Sequence, residues 1–411
     1  MNSAKLSTPQ SGSKLLKLLT FVMFTMFAMT TDAVGVIIPE IIKTFKLSMT
    51  QAGLFHYGPM TAMALAGIFL GFLADKLGRK KTIILGLAIF ATSSYLFMVG
   101  NSFWFFLSLL VISGAAIGVF RTGALALIGD ISRSNQEHTS TMNAVEGFFG
   151  VGAIIGPFLV SYLLSQEVEW KWLYVIAATL CVMLILIALV VKYPTSKKAV
   201  EEPVSMKQSF RMIKNPYALG FSLAAFFYVT VEAAIYVWMP TLMKDYDGSL
   251  VFIAMYALPI FFILRAAGRF LGIWMMVHFQ WDQVLAISGF LIFICFGGSI
   301  LFEPAAVVLL PLTGLFMSVI YPTINSKGMS CFPKPQHGSI AGIILFFTAA
   351  GAAAGPLAMG LVSDFFGGHA KSGFVLAAFF SLILFAGFLF NFIFKPTAQK
   401  LAQMNESDYQ Q

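Results

Sequence analysis

Five ionisable side chains stand inside stretches that are otherwise apolar: Asp32, Arg121, Glu146, Glu232 and Arg265, with Arg269 nearer the end of its stretch. A charge at the centre of a bilayer costs roughly 2.5–3.5 kcal/mol on insertion scales, so each such group calls for a function. Asp32 and Glu232 have no basic partner within their own stretches. A carboxylate in apolar surroundings gains proton affinity by desolvation, which suits a reversible proton carrier. Arg121 and Glu146 lie at similar distances from the ends of neighbouring stretches and could meet at one depth. That pair is either a static link between helices or a carboxylate that releases its arginine on taking up a proton. Asp32 is the preferred carrier, because Arg121 would favour the charged form of Glu146; Glu232 stands in reserve.

Polar and aromatic groups occur at the same depths: Asn143 one turn before Glu146, then Tyr228, Tyr236, Trp238, Tyr321 and Asn325. Flat rings beside amides and carboxylates suit a polyhydroxylated ring, which offers a C–H face for stacking and hydroxyls for bidentate hydrogen bonds. Asp32, Asn143, Glu146, Tyr228, Glu232, Trp238, Tyr321 and Asn325 are therefore the expected substrate-binding set. Tyr236 and Trp238 fit an interfacial aromatic belt equally well. His56, near the end of its stretch, reads as a structural histidine. The series Gly147, Gly150, Gly152, Gly156, closed by Pro157, reads as a close-packing face. No phosphate-cradling loop, nucleophile triad or metal-binding spacing is present, so neither an enzyme nor a cofactor is expected.

The elements that must hold these groups follow from composition. Of 411 residues 58% are hydrophobic and 11% charged, which excludes a soluble globule of this size and excludes disorder. Three cysteines, Cys181, Cys295 and Cys331, make no disulfide framework. Apolar runs long enough to span a bilayer fall near 16–40, 50–74, 81–99, 103–128, 139–165, 171–192, 216–242, 250–275, 283–301, 304–326, 339–363 and 372–394. The expectation is an all-α membrane protein of twelve transmembrane helices: a six-helix bundle over 1–192, a linker over 193–215 and a second bundle over 216–411 with a short tail. With the amino terminus inside, eighteen Lys and Arg flank the cytoplasmic ends and five the outer ends, so both termini are expected in the cytoplasm. The net charge of +8 follows this membrane asymmetry and does not imply nucleic acid.

The halves repeat. Asp32 and Pro39 recur as Glu232 and Pro240 at offsets of 200 and 201. Gly152-x-x-x-Gly156-Pro157 recurs as Gly351-x-x-x-Gly355-Pro356 at 199, and Gly78-Arg79 as Gly268-Arg269 at 190. Duplicated halves with a site between them are a transporter pattern, and a channel subunit or membrane enzyme has no particular reason to carry it.

The loop Gly71-Phe-Leu-Ala-Asp75-Lys-Leu-Gly78-Arg79-Lys80-Lys81 resembles the signature loop between helices two and three of the major facilitator superfamily. The twelve spans, the central loop, Arg121 on span four and the Gly-x-x-x-Gly-Pro of span five extend that resemblance over the whole chain. It implies two pseudo-symmetric six-helix bundles that open a central cavity alternately to each side, with Gly71, Asp75, Gly78 and Arg79 in a conformational latch. Tyr228-Val-Thr-Val-Glu232, Gly268 to Trp274, Gly314 to Tyr321-Pro322 and Asn143-Ala-Val-Glu146 resemble the fucose/glucose:proton symporter branch. There, a helix-one aspartate and a helix-four glutamate are linked to sugar and proton. Asp32 matches the first, whereas span four carries Arg121 in place of the second. The resemblance implies a monomeric inner-membrane symporter of a small polar solute, most simply a sugar, with a proton as coupling ion. A polyspecific drug:proton antiporter shares the latch loop, Arg121 and the span-five motif, and is the alternative.

Overall fold

The computed structural model describes residues 10–70, 73–132, 135–194, 213–332 and 337–409. Among them the chain is helical throughout, without a strand. Helix is what the sequence dictates: in hydrocarbon no water can satisfy a free N–H or C=O, and a helix pairs them within one segment. Eleven helices are long and apolar enough to cross a membrane. In chain order the spans are α1 (Lys14–Phe45), α3 (Arg79–Met98), α4 (Phe103–Ile131), α5 (Asn135–Ser165), α6 (Trp172–Val190), α7 (Pro216–Met243), α8 (Ala257–His278), α9 (Trp281–Leu301), α10 (Glu303–Ser330), α11 (His337–Phe365) and α12 (Ala370–Phe394). The twelfth expected span, 50–74, is formed by α2 (Leu54–Leu70), which short turns at Met49–Ala52 and Leu73–Lys76 flank. A last helix, α13 (Pro396–Tyr409), follows α12.

Contacts divide the chain into two compact units. One comprises residues 1–37 and 54–200; the other comprises 38–53 and 201–411. Much of the expected linker, residues 195–212, lies outside the described residues. In the first unit a ring cluster fills the core: Phe27 meets Phe120 at 4.6 Å and Phe90 edge-on at 4.8 Å. All three are buried, so their area contributes alongside aromatic geometry.

The duplicated glycine motif does the same work in each unit. A Cβ on Gly152 would stand 2.1 Å from the Thr25 carbonyl oxygen, and one on Gly156 2.0 Å from that of Met29, so α5 presses backbone to backbone on α1. In the second unit a Cβ on Gly351 would meet the Phe226 carbonyl oxygen at 2.5 Å, which sets α11 equally close to α7. Gly147 and Gly150, expected to share that packing face, do not: a Cβ at either meets nothing within 4 Å. At 3.6 residues per turn, four glycines spaced 3, 2 and 4 apart cannot all face one neighbour.

The second unit also holds a strap. Residues 38–53 run from the end of α1 to the start of α2 and pack with residues of the later half. The Asp364 carboxylate at the end of α11 accepts from Met49 N (2.8 Å) and Thr50 N (2.9 Å), so it caps the short helix at Met49–Ala52. Lys244 donates to the Pro39 carbonyl (2.9 Å) and lies 3.7 Å from Glu40.

Candidate functional site

A buried polar cluster at membrane depth is built on α7, α8 and α10, within the second unit. Glu232 is 6% exposed. Its Oε1 accepts from Arg265 Nη2 on α8 at 2.7 Å and from the Tyr228 hydroxyl, one turn earlier on α7, at 3.0 Å. That hydroxyl lies equally near a second acceptor, the Met317 carbonyl of α10, at 3.0 Å. Tyr228 carries one phenolic proton between two acceptors, and its ring stacks on Tyr321 of α10 at 6.1 Å. If the carboxylate is neutralised, Arg265 loses its counter-ion while the tyrosine still finds an acceptor. The cluster can therefore release a cation without stranding its own hydroxyl.

Local backbone explains why these groups converge. Helix α7 widens into a π-helical turn over Ala234–Trp238, directly after Glu232. Pro240 lies just beyond; it lacks an N–H and crowds the carbonyl four residues back, which opens the ladder. Helix α1 breaks between Thr31 and Val34, at Asp32, with Pro39 further along the same span. Helix α10 likewise breaks between Met317 and Ile320, ahead of Tyr321. Interrupted helices and π-bulges are common where transporters and enzymes place functional groups.

Asp32 is half-buried and accepts from the Thr31 hydroxyl at 3.1 Å. The pairing of Arg121 with Glu146 is not made. Arg121 instead lies over the rings of Phe24 (5.8 Å) and Phe149 (6.0 Å), with Nη1 at 3.6 Å from Met63 Sδ. Glu146 is exposed on α5. The pair fails because two rings occupy the space around the guanidinium, and a cation over aromatic faces is already stabilised. A carboxylate–arginine pair at membrane depth is instead made by Glu232 and Arg265, across two helices of the other unit.

Among the remaining expected binding residues, Tyr228 and Tyr321 join the cluster, and Asn325 sits one turn beyond Tyr321, its Nδ2 donating to the Tyr321 carbonyl at 3.1 Å. Trp238 does not sit in an exposed belt: it is fully buried and its Nε1 donates to the Pro356 carbonyl of α11 at 3.0 Å. The side chain of Asn143 lies outside the described residues. His56 is buried.

Of the expected latch, Gly71 and the side chain of Asp75 lie outside the described residues. Gly78 caps α3 at φ 84°, a left-handed conformation that glycine adopts without cost. That turn buries Arg79, whose Nε donates to Asp130 Oδ2 at 2.9 Å and whose Nη1 donates to the Ala74 carbonyl at 2.9 Å. Arg79 thus ties the loop after α2 to the end of α4. Its repeat counterpart Arg269 is exposed.

The chain belongs to the Major Facilitator Superfamily, whose family model matches residues 19–356. Members of this superfamily are transporters and not enzymes. The quinolone resistance protein NorA of Staphylococcus aureus is 24% identical over 411 residues, covering 94% of this chain and 98% of that protein. Among solved structures, an inward-facing bacterial homolog of the human lysosomal transporter Spinster superposes with a TM-score of 0.77 at 16% identity, over 97% of this chain and 99% of that one. The fucose:proton symporter FucP of E. coli superposes at 0.61 with 21% identity, over 92% and 99%. At these identities the structures establish the shared twelve-helix fold, and the chain is a multi-pass membrane transporter of small molecules.

Proposed function

We infer that this superfamily member is a proton-coupled symporter of a small polar solute, most simply a sugar, working by alternating access in the inner membrane with both termini in the cytoplasm. One observation carries the reading: a buried carboxylate, Glu232, holds an arginine of a neighbouring helix and a tyrosine with a second acceptor in reach. Proton uptake at Glu232 would weaken its hold on Arg265, and a guanidinium that lets go of this carboxylate beside stacked Tyr228 and Tyr321 offers donors and a ring face to a hydroxylated solute. Asp32, at the repeat-related helix break, is the second titrating group. No cofactor enters the scheme, and one chain suffices as the transporting unit. The likeness to FucP supports the sugar class, through fold only.

A second reading, drug:proton antiport, is favoured by the near full-length similarity to NorA. The two readings differ in the sign of a proton flux. In proteoliposomes carrying an internal pH dye and no imposed gradient, solute added outside acidifies the lumen in symport and alkalinises it in antiport. Sugars that acidify the lumen support symport; cationic drugs that alkalinise it overturn it.

A further inference from the structure

The second unit contains a cavity of about 500 Å³, and the transport reading makes no use of it. Its walls come from the chain ends of α7 and α12, with α9 and α10 beside them: Phe221, Phe227, Leu384 and Phe388, and two glycines, Gly220 and Gly387. A Cβ on either glycine meets nothing within 4 Å. The glycines therefore border open space rather than a close helix contact. Pro396 and Thr397, at the start of α13, line it at one end, and the Thr397 hydroxyl donates to Asn391 Oδ1, which pins that helix to α12. The wall is apolar and the polar groups stand at this one end.

Charge gathers at the same end. Lys395 adopts a left-handed conformation between α12 and α13, and its Nζ donates to Gln280 Oε1 at 3.2 Å, next to Trp281 of the lining. Lys327 Nζ stands 5.9 Å over the Trp281 ring. Lys400 stands in the second turn of α13. The nearby acid, Asp282, is buried and accepts from Gln283 N in the first turn of α9.

We propose that this cavity holds one acyl chain of an anionic phospholipid from the leaflet on the carboxy-terminal side, with its phosphate between Lys327 and Lys395. An apolar slot at bilayer depth takes a hydrocarbon chain, and a basic rim at the interface selects an anionic headgroup over a zwitterionic one. Helix α13 then acts as a roof that the lipid holds in place.

Native mass spectrometry of the purified full-length protein, delipidated and titrated with phosphatidylglycerol, phosphatidylcholine or diacylglycerol, tests this. Phosphatidylglycerol should bind most tightly, and Lys327→Gln or Lys395→Gln should each weaken it about fivefold, the factor for about 1 kcal/mol per basic residue near a membrane surface. Gly387→Phe and Gly220→Leu, which fill open space, should abolish the tight site while leaving the thermal midpoint of the lipid-free protein in place. Should one of them fail to fold, quenching by phosphatidylglycerol brominated on its acyl chains gives the same answer, since the quenched signal should fall when Trp281→Phe removes the reporter. Equal affinity for all three lipids, or undiminished binding to the filled variants, would overturn the proposal.

Discussion

Replacing Glu232 by Gln tests the coupling scheme most directly, because the amide keeps the shape and the oxygen that Tyr228 addresses while removing the charge that holds Arg265. At an N–O separation of 2.7 Å, an effective dielectric of about 20 gives a gross attraction of about 6 kcal/mol. Desolvation of both ions offsets most of it, and breaking buried pairs typically costs about 3–5 kcal/mol. Arg265 retains 29% side-chain exposure and can be rehydrated, so about 2 kcal/mol of destabilisation is expected for Glu232→Gln, below that range for its partial exposure. Arg265→Gln should be worse, since it leaves a negative charge on a side chain only 8% exposed. Function should separate more sharply than stability. With one proton per solute, a gradient of one pH unit is worth about 1.4 kcal/mol and drives about tenfold accumulation. Wild-type proteoliposomes should approach that ratio, whereas Glu232→Gln should stay near unity yet still exchange solute in counterflow, which moves no net proton. Concentration of solute by the Gln variant at the wild-type ratio would refute Glu232 as the coupling group and return the role to Asp32 or Glu146.

Gly156→Ala drives a methyl into the Met29 carbonyl and should lower stability by about 1–3 kcal/mol, while Gly150→Ala, in open space, should be neutral or slightly stabilising; thermal unfolding in detergent compares them. Asp364→Ala removes the acceptor for Met49 N and Thr50 N, a cap worth about 1 kcal/mol, so a cysteine at Gln51 should react several-fold faster with a maleimide than in the parent. Burial pushes the Cys331 thiol up to about 11, against the opposing pull of Lys400 and Lys327. Its thiolate is scarce at neutral pH, and its labelling rate should climb about tenfold per pH unit until the pH passes that value.

The spans, their number and the duplication were legible because each is a property of one segment or of two segments compared. Apolar length marks a membrane helix without reference to its neighbours, and Gly-x-x-x-Gly-Pro marks a contact face whatever it contacts. Partners were less legible. Arg121 and Glu146 lie at matching depths, yet Phe24 and Phe149 occupy the space around the guanidinium, and no periodicity reveals which rings a helix will bring there. Trp238 misled for the same reason: an amphipathic ring near a helix end fits a belt, and only the carbonyl of Pro356 explains its burial. Asp130 and Asp364, which hold Arg79 and the strap helix, sit at helix ends where an acid ordinarily reads as solvated.

The Glu232–Arg265 pair could have been found by counting depth on both helices. Helix α7 enters at Pro216 and reaches Glu232 sixteen residues later; α8 runs the other way and reaches its end at His278, thirteen residues after Arg265. At 1.5 Å per residue the two differ by about 5 Å in depth, within reach of an arginine side chain. The repeat then makes a further distinction. The offset of 190 that relates Gly78-Arg79 to Gly268-Arg269 sets Asp75 opposite Arg265, so the duplication puts an acid after α2 where α8 carries its arginine. The position equivalent to Arg265 is therefore acidic in the first half, and the repeat differs there in charge. Glu232 carries a cation that neutralisation would release, so substitution of Arg265 should alter coupling through the second half.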